Sequence, residues 1–589
     1  MCGIIGYTGG GNAAEIIYKG LLNLEYRGYD SAGMAVMENG RCKIVKSCGR
    51  VQKLNTSLQF LNGHTGIGHT RWATHGKPAN ANAHPHSYGK ITVVHNGIIE
   101  NYAEIKAKLI SEGEIFTSET DSEVIAHLID KFYDGDLLSA VIKCADMLKG
   151  SYALLSMCEG KEEIVAAMQR SPVILGYGQN CNFCASDLPA LAETCGYVSI
   201  LEDGDFAVIT GNDIKIYDKT ATRIYRSVIA NLAQPATLNL GGFPHYMLKE
   251  LWEAPAAVKN TISAFKKCEN SIRVAISGAD RIILTGCGTA YHAALVGKRY
   301  IEEFARIPCE VEYAGELRYK APNVSEKTVL VAVTQSGETA DTVEAARLYK
   351  SLGAIVLAVT NTPHSAITRI SDVIVPVAAG AEICVAATKS YSGQIAALYL
   401  LALQLCREEF AKERTEKLNE IPRLILETLQ QIDIYALADM CAGCNGVYFL
   451  GRDIDYAVAL EGSLKLKEVS YLPGAGYPAS ELKHGTLALI DEKTLSVFVI
   501  TDKSLSAKAS GAVEQVLARR GKVAVITNIH SVRDKFSERV EVISIPECDK
   551  SLSPMLSAAA LHMLAYRTAV ILGCDPDKPR NLAKSVTVE

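Results

Sequence analysis

The chain opens Met1-Cys2-Gly3-Ile4-Ile5-Gly6. Removal of Met1 would leave one residue carrying both a thiol and a free α-amine. A terminal amine titrates near pH 8, so it can take a proton from the neighbouring thiol, and the thiolate can attack an amide or ester carbonyl. The plain alternative is a small residue at the start of a buried strand. Four further segments place polar groups where a core would not want them: Tyr26 to Gly33, His69 to Gly76, His95-Asn96-Gly97, and Ser118 to Asp121. Amide transfer from an amino acid needs such groups. Its oxyanion requires oriented N–H donors, which the Asn96 side chain and the Gly97 backbone can supply. The α-carboxylate suits the bidentate guanidinium of Arg71, and the α-ammonium suits Asp121.

A second set lies downstream. Gly286-Cys287-Gly288-Thr289 and Thr334-Gln335-Ser336-Gly337-Glu338-Thr339 each join a strand to a helix. Hydroxyls and free N–H groups at a helix start suit a phosphate; otherwise these are tight turns and nothing more. A Gly-Lys-Ser/Thr ending and a complete Gly-x-Gly-x-x-Gly are both missing, which argues against nucleotide hydrolysis and dinucleotide binding. Further on, Lys465 and Glu468 share a helix face, either as a solvated ion pair or as acid–base groups. His484 sits beside Gly485, and Lys584 lies in a C-terminal stretch that is not low-complexity. Glu468 and His484 suit proton transfer between C1 and C2 of a sugar and ring opening.

The elements that must position these groups differ along the chain. With 589 residues the protein exceeds a single core. Residues 2–240 show short apolar runs broken by glycine with helical patterns between, which predicts face-to-face sheets with helices outside. Residues 241–265 carry paired glycines and two prolines and read as a linker. From about 266 the pattern is strand, glycine turn, helix, the signature of a doubly wound parallel α/β unit. That unit recurs: Gly286, Tyr291 and Glu303 have the spacing of Gly451, Tyr456 and Glu468, and Thr334 to Thr360 matches Thr501 to Thr527. The expected divisions are 266–425 and 432–575, with a tail over 576–589.

A net charge of −5 argues against a broad nucleic-acid surface. No apolar run is long enough to span a bilayer and no signal-peptide pattern opens the chain, so a cytoplasmic protein is expected. The 17 cysteines then read as reduced thiols. Cys181/Cys184 and Cys441/Cys444 have zinc-site spacing, but one sits in a Gly/Asn loop and the other near a helix end, so chance spacing is the expected reading. His84 and His86 are candidates for loop capping; as metal ligands they lack a neighbouring carboxylate or thiol.

On these motifs, residues 1–240 resemble a class II glutamine amidotransferase domain of the N-terminal-nucleophile type, and the repeated unit resembles tandem sugar isomerase (SIS) domains. The resemblance implies an αββα sandwich followed by two doubly wound parallel-sheet domains. It implies an enzyme that takes L-glutamine and D-fructose 6-phosphate, releases glutamate, passes ammonia internally and makes glucosamine 6-phosphate, with no metal or organic cofactor, as a homodimer.

By the same resemblance Cys2 is the nucleophile, Asn96 and Gly97 form the oxyanion hole, and Arg27, Arg71, Thr74, His75 and Asp121 surround glutamine. Trp72 gates ammonia passage. Thr289, Thr334, Gln335, Ser336, Thr339 and the Val385-Ala386 backbone hold the sugar phosphate. Lys465 and Glu468 act in isomerisation, His484 comes from a neighbouring subunit, and Lys584 forms a Schiff base with the C2 ketone. Four departures from the expected pattern stand out: Arg170-Ser171-Pro172 lacks a glycine, Ala290 and Ala387 replace serines, and Thr486 replaces a proline.

Overall fold

The structure, a computed structural model, describes residues 2–231, 240–320 and 323–587. Met1, the stretch 232–239 that ends the expected first domain, and the last two residues of the expected tail lie outside the described residues. The chain forms two compact units, one of residues 1–239 with 585–589 and one of residues 240–584.

The first unit is built on an eight-stranded and a seven-stranded sheet. Alternation of side chains along each strand explains the layering. In strand Gly3–Gly9, Ile5 and Tyr7 pack beneath helix Ala13–Leu24, whereas Ile4 enters the core between the sheets with Ile67, Val94 and Leu155. In strand Ile91–Ile99, Val93 faces helices Glu123–Phe132 and Leu137–Ala145 while Val94 faces inward. The result is the expected αββα order, with antiparallel pairing throughout both sheets. Asn12 starts the first helix by accepting from the Ala14 N–H at 2.9 Å.

The second unit holds two five-stranded parallel sheets with one topology. The first runs, edge to edge, Cys309–Tyr313, Arg281–Gly286, Thr328–Thr334, Ile355–Thr360, Val373–Pro376. The second repeats this order with Gly474–Pro478, Gly446–Gly451, Thr494–Ile500, Lys522–Thr527 and Glu541–Ser544. The repeat extends to backbone detail. Gly288 (φ 55°, ψ −125°) precedes helix Thr289–Tyr300, and Asp453 (φ 54°, ψ −122°) precedes helix Ile454–Ser470. Only glycine takes this conformation easily; Asp453 is held there by Arg299, whose Nε lies 2.7 Å from its carboxylate.

The segment expected as a linker is largely helical. Helix Tyr246–Ile276 begins within it and contains Pro255. Its free N-terminal N–H groups are satisfied from the far end of the chain: Asp577 accepts from Tyr246 at 2.8 Å and Met247 at 2.7 Å. Among the described residues no helix is long and apolar enough to cross a membrane.

Candidate active site

In the first unit, pairing of Gly3 with Thr70 sets Cys2 beside Trp72. The Cys2 sulfur accepts from the Trp72 N–H at 3.3 Å and lies 3.5 Å from the Trp72 carbonyl. Burial raises its pKa, while the Trp72 backbone and the Arg71 guanidinium oppose that rise. The Cys2 carbonyl accepts from Arg27 Nε at 3.2 Å and Asn96 Nδ2 at 3.0 Å. Arg27 is fixed in turn by Asp187 at 2.6 Å, and Asp187 also accepts from the Tyr26 hydroxyl.

Gly97 has φ 144°, and a Cβ there would lie 1.9 Å from the Ser151 carbonyl. The position therefore demands glycine, and the bare backbone lies next to Asn96. Asp121 accepts from the Ile99 N–H at 2.8 Å and from Ser122 Oγ at 3.3 Å. Arg71 folds its own loop: Nη2 donates to the carbonyls of His75 and, at 2.9 Å, Gly76. Its buried Nη1 has no acceptor among the described residues. That loop carries Trp72, Thr74 and His75, and Asp30 pins it by accepting from the Ala73 N–H at 2.8 Å. Trp72 also meets Tyr29 edge to face at 5.6 Å. One strand–loop junction thus gathers Cys2, Arg71, Trp72 and Asn96. Asp30 and Asp187 carry supporting roles that no sequence spacing announced.

His84 stacks on buried His69 at a centroid separation of 3.9 Å and meets His86 edge to face at 4.5 Å. Burial holds all three well below the usual histidine range, His86 at about 3. His84 is a packing group, whereas His86 also holds the Ser118–Asp121 loop, its Nε2 3.2 Å from Thr120 Oγ1. No cluster that could hold a metal occurs among the described residues. Cys184 lies in the core between the sheets, whereas Cys181 packs on the helix side of the same strand, so the pair does not converge.

In the second unit both glycine turns leave adjacent parallel strands, Arg281–Gly286 and Thr328–Thr334, where the strand order reverses. Ligands bind at such switch points in open α/β sheets. Thr334 Oγ1 accepts from the Gly337 N–H at 3.2 Å and lies 3.2 Å from Thr339 Oγ1, and Ser336 Oγ accepts from the Glu338 N–H at 3.2 Å. This makes a hydroxyl-lined turn before helix Ala340–Ser351. The Gln335 carbonyl anchors Asn361 at 3.2 Å.

Thr289, at the start of helix Thr289–Tyr300, also reaches across to the second repeat. Its hydroxyl donates to Glu461 at 3.1 Å. Glu461 is fully buried and also meets His292 Nδ1 at 2.8 Å, His562 Nε2 at 3.2 Å and Lys465 Nζ at 3.7 Å. Lys465 and these histidines hold the Glu461 carboxyl far below the ordinary range despite burial. Lys465 is itself 1% exposed and is ion-paired with Glu468, so the solvated-pair reading fails at Lys465; Glu468 keeps partial access to solvent. His484 is exposed in the single chain.

Lys584 is buried against Glu382, Nζ to Oε2 2.5 Å. Glu382 also accepts from Thr388 N at 3.0 Å, Ser390 N at 3.1 Å and Ser390 Oγ at 2.8 Å. Lys584 and these donors lower its pKa to about 2 against the opposing effect of burial. The segment beside Val385 and Ala386 is tied to the tail, Val385 N to the Asp577 carbonyl at 3.0 Å. Glu461 and Glu382, the two carboxylates that organise this half, were not singled out by sequence reasoning. Their signal is spatial, since each serves partners far away in the chain.

Comparison with known proteins agrees with both halves. The SIS domain family matches residues 275–404 and 441–572, and a glutamine amidotransferase domain family matches residues 69–193. The chain is 42% identical over 616 residues to a glutamine–fructose-6-phosphate aminotransferase [isomerizing] of Caldanaerobacter subterraneus subsp. tengcongensis, and 43% identical over 610 residues to one of Clostridium tetani. Each alignment covers 100% of both chains. Among solved structures, the C-terminal domain of glucosamine-fructose-6-phosphate aminotransferase from Francisella tularensis is 32% identical with a TM-score of 0.56, covering 58% of this chain and 100% of that one.

Proposed function

The chain belongs to the glutamine–fructose-6-phosphate aminotransferase (isomerizing) family, and we propose how its own residues carry out that reaction. The enzyme makes glucosamine 6-phosphate from glutamine and fructose 6-phosphate. One observation supports the residue assignment above others: a sulfur held by a backbone N–H at 3.3 Å, with the same residue's carbonyl clamped by Arg27 and Asn96.

Once Met1 is removed, Cys2 attacks the glutamine side-chain amide. Its α-amine takes the thiol proton and returns a proton to the leaving nitrogen, giving a thioester and ammonia; water then releases glutamate. Asn96 Nδ2 and the Gly97 N–H carry the oxyanion. The unused Nη1 of Arg71 meets the α-carboxylate and Asp121 meets the α-ammonium, with Arg27, Thr74 and His75 shaping the pocket. Trp72, on the loop that holds the sulfur, gates ammonia departure. Ammonia kept from bulk water retains its lone pair, so it is delivered internally.

In the second unit Thr334, Gln335, Ser336 and Thr339 hold the phosphate, and Thr289, Val385 and Ala386 line the sugar. Lys584 forms an imine at C2: its nitrogen bonds to carbon, the C2 oxygen leaves as water, and ammonia later replaces the lysine. Glu468, oriented by Lys465, moves the proton between C1 and C2. His484, exposed in one chain, opens the sugar ring in a second copy, which makes the enzyme a homodimer. A cytoplasmic location accords with a nucleophilic thiol among 17 unpaired cysteines.

The test is direct. Purified enzyme given both substrates should release glutamate and glucosamine 6-phosphate in equal amounts. Cys2→Ala should abolish both products, and Lys584→Ala the amino sugar. Mixing His484→Ala with Lys584→Ala subunits should restore turnover; no recovery on mixing would overturn the shared site.

A further inference from the structure

A second buried carboxyl is bound to the backbone that follows Glu382, the partner of Lys584. Glu250 lies on helix Tyr246–Ile276 and is 2% exposed. One of its oxygens accepts from the N–H groups of Ile383 at 2.5 Å and Cys384 at 3.2 Å, the two residues after Glu382. Its other oxygen, Oε2, is buried with no hydrogen-bond partner among the described residues. Glu250 and Glu382 therefore reach one short segment from two sides, and only Glu382 holds Lys584. The other nearby cation, Lys389, is already paired with Glu253 at 2.7 Å.

Charge balance follows from this arrangement. With Glu382 ionised and Lys584 protonated, the buried pair is neutral. An ionised Glu250 would add an uncompensated charge in a dry site, which is strongly disfavoured. An Oε2 with no donor beside it is also a poor place for a full negative charge, which would want further donors. The groups acting on Glu250 are Glu382, Lys584 and Lys389, with Tyr246 and Cys384 also close enough to feel its charge. Burial first, and Glu382 second, push the Glu250 carboxyl up to about 8. Two adjacent carboxyls driven in opposite directions is a pattern found where acid and base roles are divided.

We propose that Glu250 is a positioning residue for the charge of Lys584: as a carboxylic acid bound to the Ile383 and Cys384 N–H groups next to Glu382, it withholds a second counter-charge from the ammonium and so keeps the amine available to attack the C2 ketone. This rests on the imine role of Lys584. At neutral pH burial and the Glu382 charge favour the acid form of Glu250. As pH rises it ionises, raises the pKa of Lys584 and stabilises the unreactive ammonium. The gain in free amine that rising pH would otherwise bring is then blunted.

The experiment measures imine formation with fructose 6-phosphate by rapid mixing and borohydride quench, read as intact mass, from pH 7 to pH 9. Glu250→Gln keeps an oxygen for the Ile383 and Cys384 N–H groups but cannot ionise. Its ratio of rates at pH 9 and pH 7 should exceed the wild-type ratio by about five-fold or more, as expected when one charge is removed from a buried neighbour. Glu250→Asp, which still titrates, should retain a levelling limb displaced to lower pH. A wild-type ratio in Glu250→Gln, or an undisplaced limb in Glu250→Asp, overturns the proposal and leaves Glu250 a backbone acceptor only. Should wild-type enzyme give no adduct, or an adduct that survives Lys584→Met, the imine assignment itself fails, a result separate from the first.

Discussion

Thr289, on the first repeat, donates its hydroxyl to Glu461, on the second, at 3.1 Å. The two repeats are thus joined at the sugar site by a buried carboxylate that also serves His292, His562 and Lys465. Removing it would strand several donors away from water. Glu461→Ala should destabilise the second unit by about 3–5 kcal/mol, measured by denaturant unfolding, and lower amino-sugar synthesis more than glutamine hydrolysis.

Glu382 makes a pH-dependent contribution. Its folded value of about 2 lies below the ordinary 4.5. The sign is that of a depressed acid: the stabilisation is complete above about pH 4.5 and is lost as pH falls toward 2. Glu382→Gln should therefore cost about 2–3 kcal/mol near neutrality. The gap between variant and wild type should close below pH 4.5, as followed by urea melts across that range.

Asn96→Ala should lower kcat for glutamine hydrolysis by roughly 100- to 1,000-fold, the usual cost of losing one oxyanion donor, with little change in folding. Arg71→Lys should act mainly on KM for glutamine. A lysine can satisfy neither the fork to a carboxylate nor the double contact to His75 and Gly76. Initial rates of glutamate release separate the two patterns.

Gly337 has φ 69°, and a Cβ there would lie 1.9 Å from Ser365 Oγ. Gly337→Ala should distort the hydroxyl turn of Thr334 to Thr339. We expect KM for fructose 6-phosphate to rise by about ten-fold or more, as for loss of about 1.4 kcal/mol of binding, while glutaminase activity without sugar is retained.

The second repeat should bind no sugar phosphate. At the position matching Ala290 it carries Asp455, whose carboxylate accepts from Thr501 N at 2.9 Å and Thr501 Oγ1 at 2.5 Å. An acid side chain occupies the turn that Thr334 leaves open in the first repeat. Calorimetric titration should find one fructose 6-phosphate per chain; two would refute this reading.

Much of this architecture was legible in the residues. Alternating apolar runs gave the sandwich, and equal spacings around Gly286 and Gly451 gave the repeat down to the matching conformations of Gly288 and Asp453. Cys2, Asn96 and Arg71 stood out because amide chemistry needs those groups, and the structure brings Asn96 onto the Cys2 carbonyl at 3.0 Å. What escaped was long-range partnership. The helix Tyr246–Ile276 was read as a linker because Pro255 and Gly241-Gly242 are breakers locally, whereas its start is stabilised by Asp577, remote in sequence. Glu382 and Glu461 look like surface acids until lysines and histidines from distant elements converge on them. The bond from the Thr289 hydroxyl to Glu461 belongs to the same class, since the two residues lie on different repeats.

The peg formed by Asp577 has a mechanical consequence. Only six residues lie between it and Lys584, a leash of at most about 25 Å fully drawn out. The amine is thereby confined to a small volume around its target and presented at high effective concentration. Loosening the peg with Asp577→Ala would dilute the nucleophile without altering it, slowing imine formation while its intrinsic reactivity stayed the same.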